Sequence, residues 1–518
     1  MPLAAATPPS AASPADPPAD PPADPTADLP ADPTAGRRTR AAGLPGPLLR
    51  RPAVPVWGLA AGFAALYLCV GVNRYRRGLS KAYDLGIFEQ AVRAYAHGQA
   101  PIVPLKGPGY HLLGDHFHPL IAVLAPFYRV FPSPLTLVAA QAVLMALAVV
   151  PLTRWAHEVA GARVALVVGC ATGASWGIVR AAADDFHEIA FAVPLLAFAA
   201  VALGRRRPLA AALWSLPLLL VKEDLGLTVA AVGLLIAWRA RRERRTPVPG
   251  LVLAVVGVVA TALVVLVVLP SFNPYGGFDY WQQLGGGGGA RAPFWALPLR
   301  LGWPPVKWLL LFLLAATTGF LGLRSPLVLL CVPTLGWRLL STNPHYWGVS
   351  YHYSAVLMPV LFAALVDAVR RAGGTSGAGG AGGAAGAGRR VRRGLAVTVL
   401  VAVVTLPLYP LHEVVMPEAW RTSPRVAEAR AMLRLVPDGA AVAASNRLAA
   451  QLTSRADVTL MCRAPVGAGP QWVAVDLRDP SVKAPCATAD TARMLAFYRG
   501  AGYLPRFERD GLLLLERP

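Results

Sequence analysis

Eleven apolar runs divide this chain, at roughly 53–72, 134–153, 163–182, 189–204, 208–221, 225–238, 248–270, 304–322, 326–340, 353–369 and 395–411. Short arginine clusters fill many of the gaps between them. A helix needs about 20 apolar residues to cross the hydrocarbon of a bilayer. Inside that hydrocarbon only helices and closed barrels satisfy their own backbone groups. The pattern therefore leads to an all-α polytopic membrane bundle of about 11 transmembrane helices. Composition agrees: 55% of residues are hydrophobic, 15% are charged and the mean hydropathy is +0.48, where a soluble domain carries about 25% charged residues. The net charge of +21 does not indicate nucleic acid, because that reading needs a continuous basic face. The stretch 119–131, interrupted by Pro126 and Arg129, is too short to cross and reads as an interfacial or re-entrant helix.

Charge orients the bundle. With the N-terminus inside, the inner segments hold 22 arginines against 8 acids, or +14, and the outer segments hold +7. That asymmetry is the positive-inside pattern of a plasma-membrane protein. Residues 1–52 read as a disordered, Pro/Ala/Asp-rich cytoplasmic tail ending in a basic juxtamembrane segment. Residues 53–411 form the transmembrane domain, with outer loops at 73–133, 183–188, 222–224, 271–303 and 341–352 and a flexible cytoplasmic Gly/Ala linker at 372–388. The run Gly285–Gly289 in the long loop reads equally as a lid or an idle linker. From about 412 the pattern changes to alternating helices (424–435, 447–454, 491–500) and strands (440–444, 458–461, 472–476, 512–515), which predicts a small extracytoplasmic α/β domain. Cys462 and Cys486 lie in that region and can pair in an oxidising compartment.

Eight of the nine histidines, all but His157, fall on the outer side, as do nine acids of the membrane region. Ionisable groups at the membrane are costly without a role, although a single loop charge is more often simply solvated. Four clusters stand out: Tyr83–Gln90 with Asp84 and Glu89; Gly114–Pro119 with Asp115, His116 and His118; Asp184–Glu188 with Asp185 and His187; and Lys222-Glu223-Asp224. A lone carboxylate near the surface suits a general base, while capping of the following helix explains Asp84 equally well. An H-x-H pair beside an aspartate can hold a metal. Lys222-Glu223-Asp224 reads either as a neutralised ion pair or as a device positioning an acceptor or phosphate. His352 sits in an aromatic stretch, and Arg74 and Arg77 oppose the positive-inside trend, as residues holding an anionic head group would.

This ordered series, Tyr83–Gln90, Gly114–Pro119, Asp185-Phe186-His187, Lys222-Glu223-Asp224 and the α/β region, resembles the bacterial membrane family called domain of unknown function 2079. The resemblance runs from about residue 54 to 518. That family in turn looks like the membrane glycosyltransferases of GT-C type, such as protein mannosyltransferases and aminoarabinose transferases. The resemblance implies a GT-C-like fold, a polyprenyl-phosphate-linked sugar as donor, an extracytoplasmic acceptor, and Asp84 in the first outer loop as base, with Asp115 as its rival. Leu85 follows Asp84 where many of those enzymes carry a second acid. On this reading Asp84 and Asp115 are catalytic. Glu89, His116, His118, Asp185, His187, Glu188, Lys222, Glu223, His352, Arg74 and Arg77 bind substrate, and Asp115, His116, His118 and His187 are the candidate ligands of a divalent metal. Two other classes remain open: a transporter or lipid flippase, and a non-catalytic envelope scaffold. Transporters place ionisable groups near the midplane and often show internal repeats; here the acids lie at helix ends.

Overall fold

A computed structural model of the chain describes residues 55–277, 297–375, 380–464, 469–479, 486 and 488–518. The N-terminal tail through residue 52 and the Gly285–Gly289 run lie outside the described residues. Helices dominate, in the order the apolar runs dictate: α1 (Val56–Arg76), α2 (Ile87–Ala96), α3 (Pro134–Leu147), α4 (Val149–Gly173), α5 (Trp176–Ala182), α6 (Ile189–Gly204), α7 (Pro208–Ser215), α8 (Leu225–Arg242), α9 (Val248–Leu263), α10 (Val306–Thr317), α11 (Val332–Leu340), α12 (Leu357–Thr375) and α13 (Gly380–Thr405). Among the described residues, five helical stretches are long and apolar enough to cross a membrane: Val56–Arg76, Pro134–Gly173, Val248–Phe272, His352–Gly373 and Ala385–Leu408. Apolar helices of 10–17 residues account for Pro119–Val130, Ile189–Gly204, Pro208–Leu220, Val306–Thr317 and Pro326–Leu340.

The joined stretch Pro134–Gly173 is two segments in one. Its helix breaks at Gly161, whose φ of 80° takes the left-handed region that only glycine enters freely, so the chain turns where the sequence places a short arginine-flanked loop. The linker reading of 372–388 needs narrowing. Helix α12 runs on to Thr375 and α13 begins at Gly380, continuous with the apolar run that follows. The remaining residues 376–379 are outside the described set.

Helix α12 is the axis of the bundle, almost wholly buried and packed against α4 and α6. The large core side chains Tyr67, Trp155, Trp176, Phe186 and Phe362 belong to the same apolar cluster. Val248–Phe272 and Ala385–Leu408 instead leave most of their surface uncovered, with Val255, Val259, Leu266, Leu400 and Val403 exposed. Apolar surface of that extent suits lipid rather than water. Helices α8 and α9 pack backbone to backbone: a Cβ on Gly233 would stand 2.5 Å from Ala254 N and Gly250 O, the close approach small residues permit between membrane helices.

At one end of the bundle the arginines gather. Asp367, fully buried, accepts from Ser325, Arg370 and Arg371, and Arg205 and Arg206 reach Glu158 and Glu243. The C-terminal region is the predicted α/β unit, with helices α14 (Pro424–Leu433) and α15 (Thr488–Gly500) and strands β1 (Ala441–Ala444), β2 (Asp457–Leu460), β3 (Trp472–Asp476), β4 (Leu504–Arg509) and β5 (Leu512–Glu516). The sheet order is β2-β1-β3-β5-β4; β1 runs parallel to β2 and β3, while β5 is antiparallel to β3 and β4. Strand β4 is absent from the sequence reading because its residues alternate poorly and lie on the exposed edge. The helix expected over 447–454 shortens to Asn446–Ala449. Cys462 and Cys486 are joined in a disulfide.

Polar side chains fix α2 onto this unit. Arg93 donates to the carbonyls of Thr453 and Ala456 at 3.0 Å each, and Gln90 donates to Val458 O at 2.8 Å. Glu89, wholly buried, accepts from Tyr128 at 2.8 Å and from the Thr453 hydroxyl. Burial, only partly offset by these hydrogen bonds and Arg93, pushes its carboxyl up to about 7.

Two outcomes follow from this packing. Gly233→Val destabilises the bundle by about 2 kcal/mol through overpacking, whereas Gly62→Ala, with open space at its Cβ, leaves it unchanged or more stable; thermal unfolding in detergent checks both. Glu89 keeps its proton in the folded protein where an unfolded chain, at the ordinary value of 4.5, has lost it. Its contribution to stability is therefore highest below about pH 4.5 and falls as pH rises to about 7. Hydrogen exchange of residues 446–460 should quicken across that window, and Glu89→Gln should flatten the dependence.

Candidate functional site

Polar residues from five separate stretches of sequence meet at one end of the bundle. Asp84 follows α1, Lys106 and Asp115–His118 lie in the loop after α2, the Asp184–Glu188 turn precedes α6, Lys222-Glu223-Asp224 precedes α8, and His352 precedes α12. Local structure explains each placement. Asp84 lies in a π-helical turn, Ala82–Gly86, a wide turn that is rare outside special sites. The turn is pinned from the C-terminal unit, where Asn446 Oδ1 accepts the Tyr83 N–H at 3.0 Å. Asp185 takes a left-handed φ of 57°, a strain of about 1–3 kcal/mol for a non-glycine residue. Hydrogen bonds hold it there: Asp185 Oδ2 accepts the Lys81 N–H at 3.0 Å, and buried Gln141 accepts the His187 N–H at 2.9 Å while donating to the carbonyls of Ala181 and Asp185. The chain carrying His352 is gathered by Arg338, fully buried, which donates to Tyr346 O at 2.6 Å and to Ser354 Oγ at 3.2 Å.

The cluster has a tight half and a loose half. In the tight half Lys222 Nζ meets Glu188 Oε1 at 2.6 Å, Lys106 Nζ meets Asp115 Oδ2 at 2.9 Å, and His116 Nδ1 lies 2.7 Å from Glu223 Oε1. The second oxygen of Glu223 accepts the Phe117 N–H at 3.1 Å, and Trp337 Nε1 donates to Asp224 Oδ2 at 2.8 Å. Burial works against the charge on Lys222, but Glu188, Glu223 and Asp224 outweigh it and hold the amine above its ordinary value. The same pairing, against the same burial, holds Glu188 well below the usual carboxylate range. Asp224 goes the other way: burial and then the Glu223 charge push it up to about 6. His118 packs against Phe88, and burial brings it down to about 4, so it is a neutral imidazole.

In the loose half Lys81 Nζ stands 3.6 Å from Asp84, Arg180 Nη2 3.5 Å from Asp184, His187 Nε2 3.7 Å from Asp84, and His352 Nδ1 3.3 Å from Asp184. The rings of His187 and His352 face each other with centroids 3.6 Å apart. Burial disfavours charge on Asp84, yet His187 and then Lys81 hold its carboxyl below the ordinary value. The Asp84 side chain is 30% exposed and that of Asp115 only 12%. Of the two carboxylates expected to compete as base, Asp84 is thus ionised and accessible, and Asp115 is engaged by Lys106.

A sequence profile of the family described as "Predicted membrane protein (DUF2079)" matches residues 75–514. The chain belongs to the DUF2079 family. No curated protein sequence matches it. Among solved structures, the chain is similar to ArnT from Cupriavidus metallidurans bound to undecaprenyl phosphate, at 15% identity and a TM-score of 0.48, covering 88% of this chain and 98% of that one. The same protein in its apo state aligns at 14% identity and a TM-score of 0.44, with the same coverage.

In this DUF2079 protein the structure brings together Asp84, Asp115, His116, His118, Asp185, His187, Glu188, Lys222, Glu223 and His352. It does not bring in three others. Arg74 and Arg77 both clasp Glu413, at 2.6 and 3.2 Å, so the pair expected to hold an anionic head group joins α1 to the start of the C-terminal region. Glu89 faces Tyr128 and Thr453 instead. The candidate metal ligands take different partners: Asp115 pairs with Lys106, His116 with Glu223 and His118 packs on Phe88, while His187 lies with Asp184 and His352. Lys106, Arg180 and Gln141 were not singled out in the sequence. Lysine usage carries the signal for the first: only five of the 49 basic residues are Lys, and Lys81, Lys106 and Lys222 all belong to this cluster. Gln141 shows itself as a lone amide inside an apolar span.

Removing one member of the tightest pair tests whether the cluster is held by charge pairing. Lys222→Met leaves Glu188 buried without its counter-ion and should cost about 3–5 kcal/mol. Lys222→Met/Glu188→Leu should recover most of that loss, as read by thermal unfolding in detergent.

Proposed function

We propose that the protein is an integral plasma-membrane glycosyltransferase of GT-C-like architecture, transferring a sugar from a polyprenyl-phosphate donor to an extracytoplasmic acceptor. The observation that carries this reading is the pairing, at one end of an apolar bundle, of an ionised, accessible carboxylate with two weakly engaged cations. Asp84 accepts the proton of the acceptor hydroxyl as that oxygen attacks the sugar's anomeric carbon. Lys81 and Arg180 hold the departing polyprenyl phosphate; their ion pairs of 3.5–3.6 Å are the ones in the cluster slack enough to exchange for a phosphate. The tight pairs Lys222–Glu188 and Lys106–Asp115 give the site its shape and stay closed.

In this account the chain crosses the membrane eleven times, with the polar cluster and the C-terminal α/β unit on the outer face. The arginine excess at the opposite end of the bundle supports that orientation. The position of the acids at helix ends, rather than at the bundle's midplane, favours transfer at the surface over transport through the bundle. The acceptor arrives between the bundle and the C-terminal unit, whose Asn446 holds the backbone beside Asp84.

Comparing a deletion strain with one carrying Asp84→Asn tests the reading. Loss of a general base lowers transfer by about 10²–10⁴-fold, so both strains should accumulate the polyprenyl-linked donor and lack the same envelope glycan, with Asp84→Asn protein present at normal level. Unchanged donor pools and glycans in both strains would contradict it.

A further inference from the structure

We propose that Asp184, His187 and His352 bind a single divalent transition-metal ion, zinc foremost, beside Asp84. One ligand atom from each of the three lies within 4.8 Å of the others, and all three residues are buried. Two histidines and a carboxylate form a nitrogen- and oxygen-donor set that suits zinc and leaves a fourth position open.

Three further observations point to an ion. The first is an unsatisfied atom: His187 Nδ1 is buried with no hydrogen-bond partner, in a side chain only 7% exposed. Buried polar atoms seldom go unpaired, and an imidazole lone pair directed at a metal resolves the deficit. The second is spacing. Metal–ligand bonds of about 2.0–2.2 Å put two atoms on a tetrahedral centre about 3.3 Å apart. Asp184 Oδ2 and His352 Nδ1, which share a hydrogen bond, are 3.3 Å apart, longer than the 2.7 Å of His116–Glu223 in the same cluster. The third is charge. The cluster gathers seven carboxylates (Asp84, Asp115, Asp184, Asp185, Glu188, Glu223 and Asp224) against four fixed cations (Lys81, Lys106, Arg180 and Lys222). A divalent ion offsets most of that excess at the point where two imidazoles face each other.

Bound there, the ion has its open position available to an anionic oxygen, and Asp84 faces the edge of the ligand His187. The site does not depend on the transfer reading, and its test needs neither donor nor acceptor.

The test uses the full-length protein in detergent, stripped with a chelator, reloaded with Zn²⁺ or Co²⁺ and desalted. Elemental analysis should find about one metal per chain, cobalt should show the visible absorption of a tetrahedral site, and zinc should raise the unfolding temperature. His187→Ala and His352→Ala should each lose about tenfold or more in affinity, while His116→Ala, in the tight half, should retain the metal. Asp84→Asn should weaken binding by about 10-fold through its effect on His187. Wild-type protein that retains less than about a tenth of an equivalent, with no shift in unfolding temperature, overturns the proposal. So does loss of metal in His116→Ala with retention in His352→Ala.

Discussion

A carboxylate taken out of water costs several kcal/mol unless an opposite charge meets it closely, and this constraint organises the end of the bundle where the polar cluster lies. Glu188 and Lys222 meet it with a contact of 2.6 Å, one from the turn before α6 and the other from the turn before α8. Their contact ties those two turns together. Glu223, the neighbour of Lys222, then reaches His116 and the backbone of Phe117, which anchors the loop of Asp115. Asp115 engages Lys106, and Lys106 lies beside the ring of Tyr83, the residue next to Asp84. One chain of paired charges thus leads from the bundle to the proposed base.

The C-terminal unit completes that chain rather than sitting apart from it. Asn446 holds the backbone at Tyr83, and α2, which follows the Asp84 turn, is bonded to residues 453–458 through Glu89, Gln90 and Arg93. Arg74 and Arg77 on Glu413 close the same seam from the end of α1. The turn bearing Asp84 is therefore held on one side by the bundle and on the other by the sheet domain. In the proposed function this double hold pre-organises Asp84 as the base, which is how positioning lowers a barrier.

Much of this was legible in the sequence. Hydropathy places the helices, because a 20-residue apolar run has few other ways to fold in lipid, and short apolar runs beside turn residues place four of the five strands. The site's members were legible too, since Asp84, Asp115, His187 and Lys222 each break an apolar context that should exclude them. Their partners were not. Nothing in linear spacing tells that Lys222 meets Glu188, 34 residues away, or that His352 joins Asp184, 168 residues away. Nor does local pattern tell that Arg74 and Arg77 meet Glu413. The two imidazoles of the H-x-H motif likewise meet different neighbours, Glu223 and Phe88, once the loop folds. A residue that acts through the backbone from outside the apolar spans, such as Asn446, carries almost no local signature.

The central claim is that the loosely paired end of this cluster receives a lipid-linked phosphate. Cryo-electron microscopy of the protein in nanodiscs with added polyprenyl phosphate tests it most directly. The account predicts phosphate density within hydrogen-bonding reach of Lys81 or Arg180, next to Asp84, with the Lys222–Glu188 contact unchanged. Phosphate bound elsewhere on the bundle, with Lys81 still turned to Asp84 and Arg180 to Asp184, would contradict it.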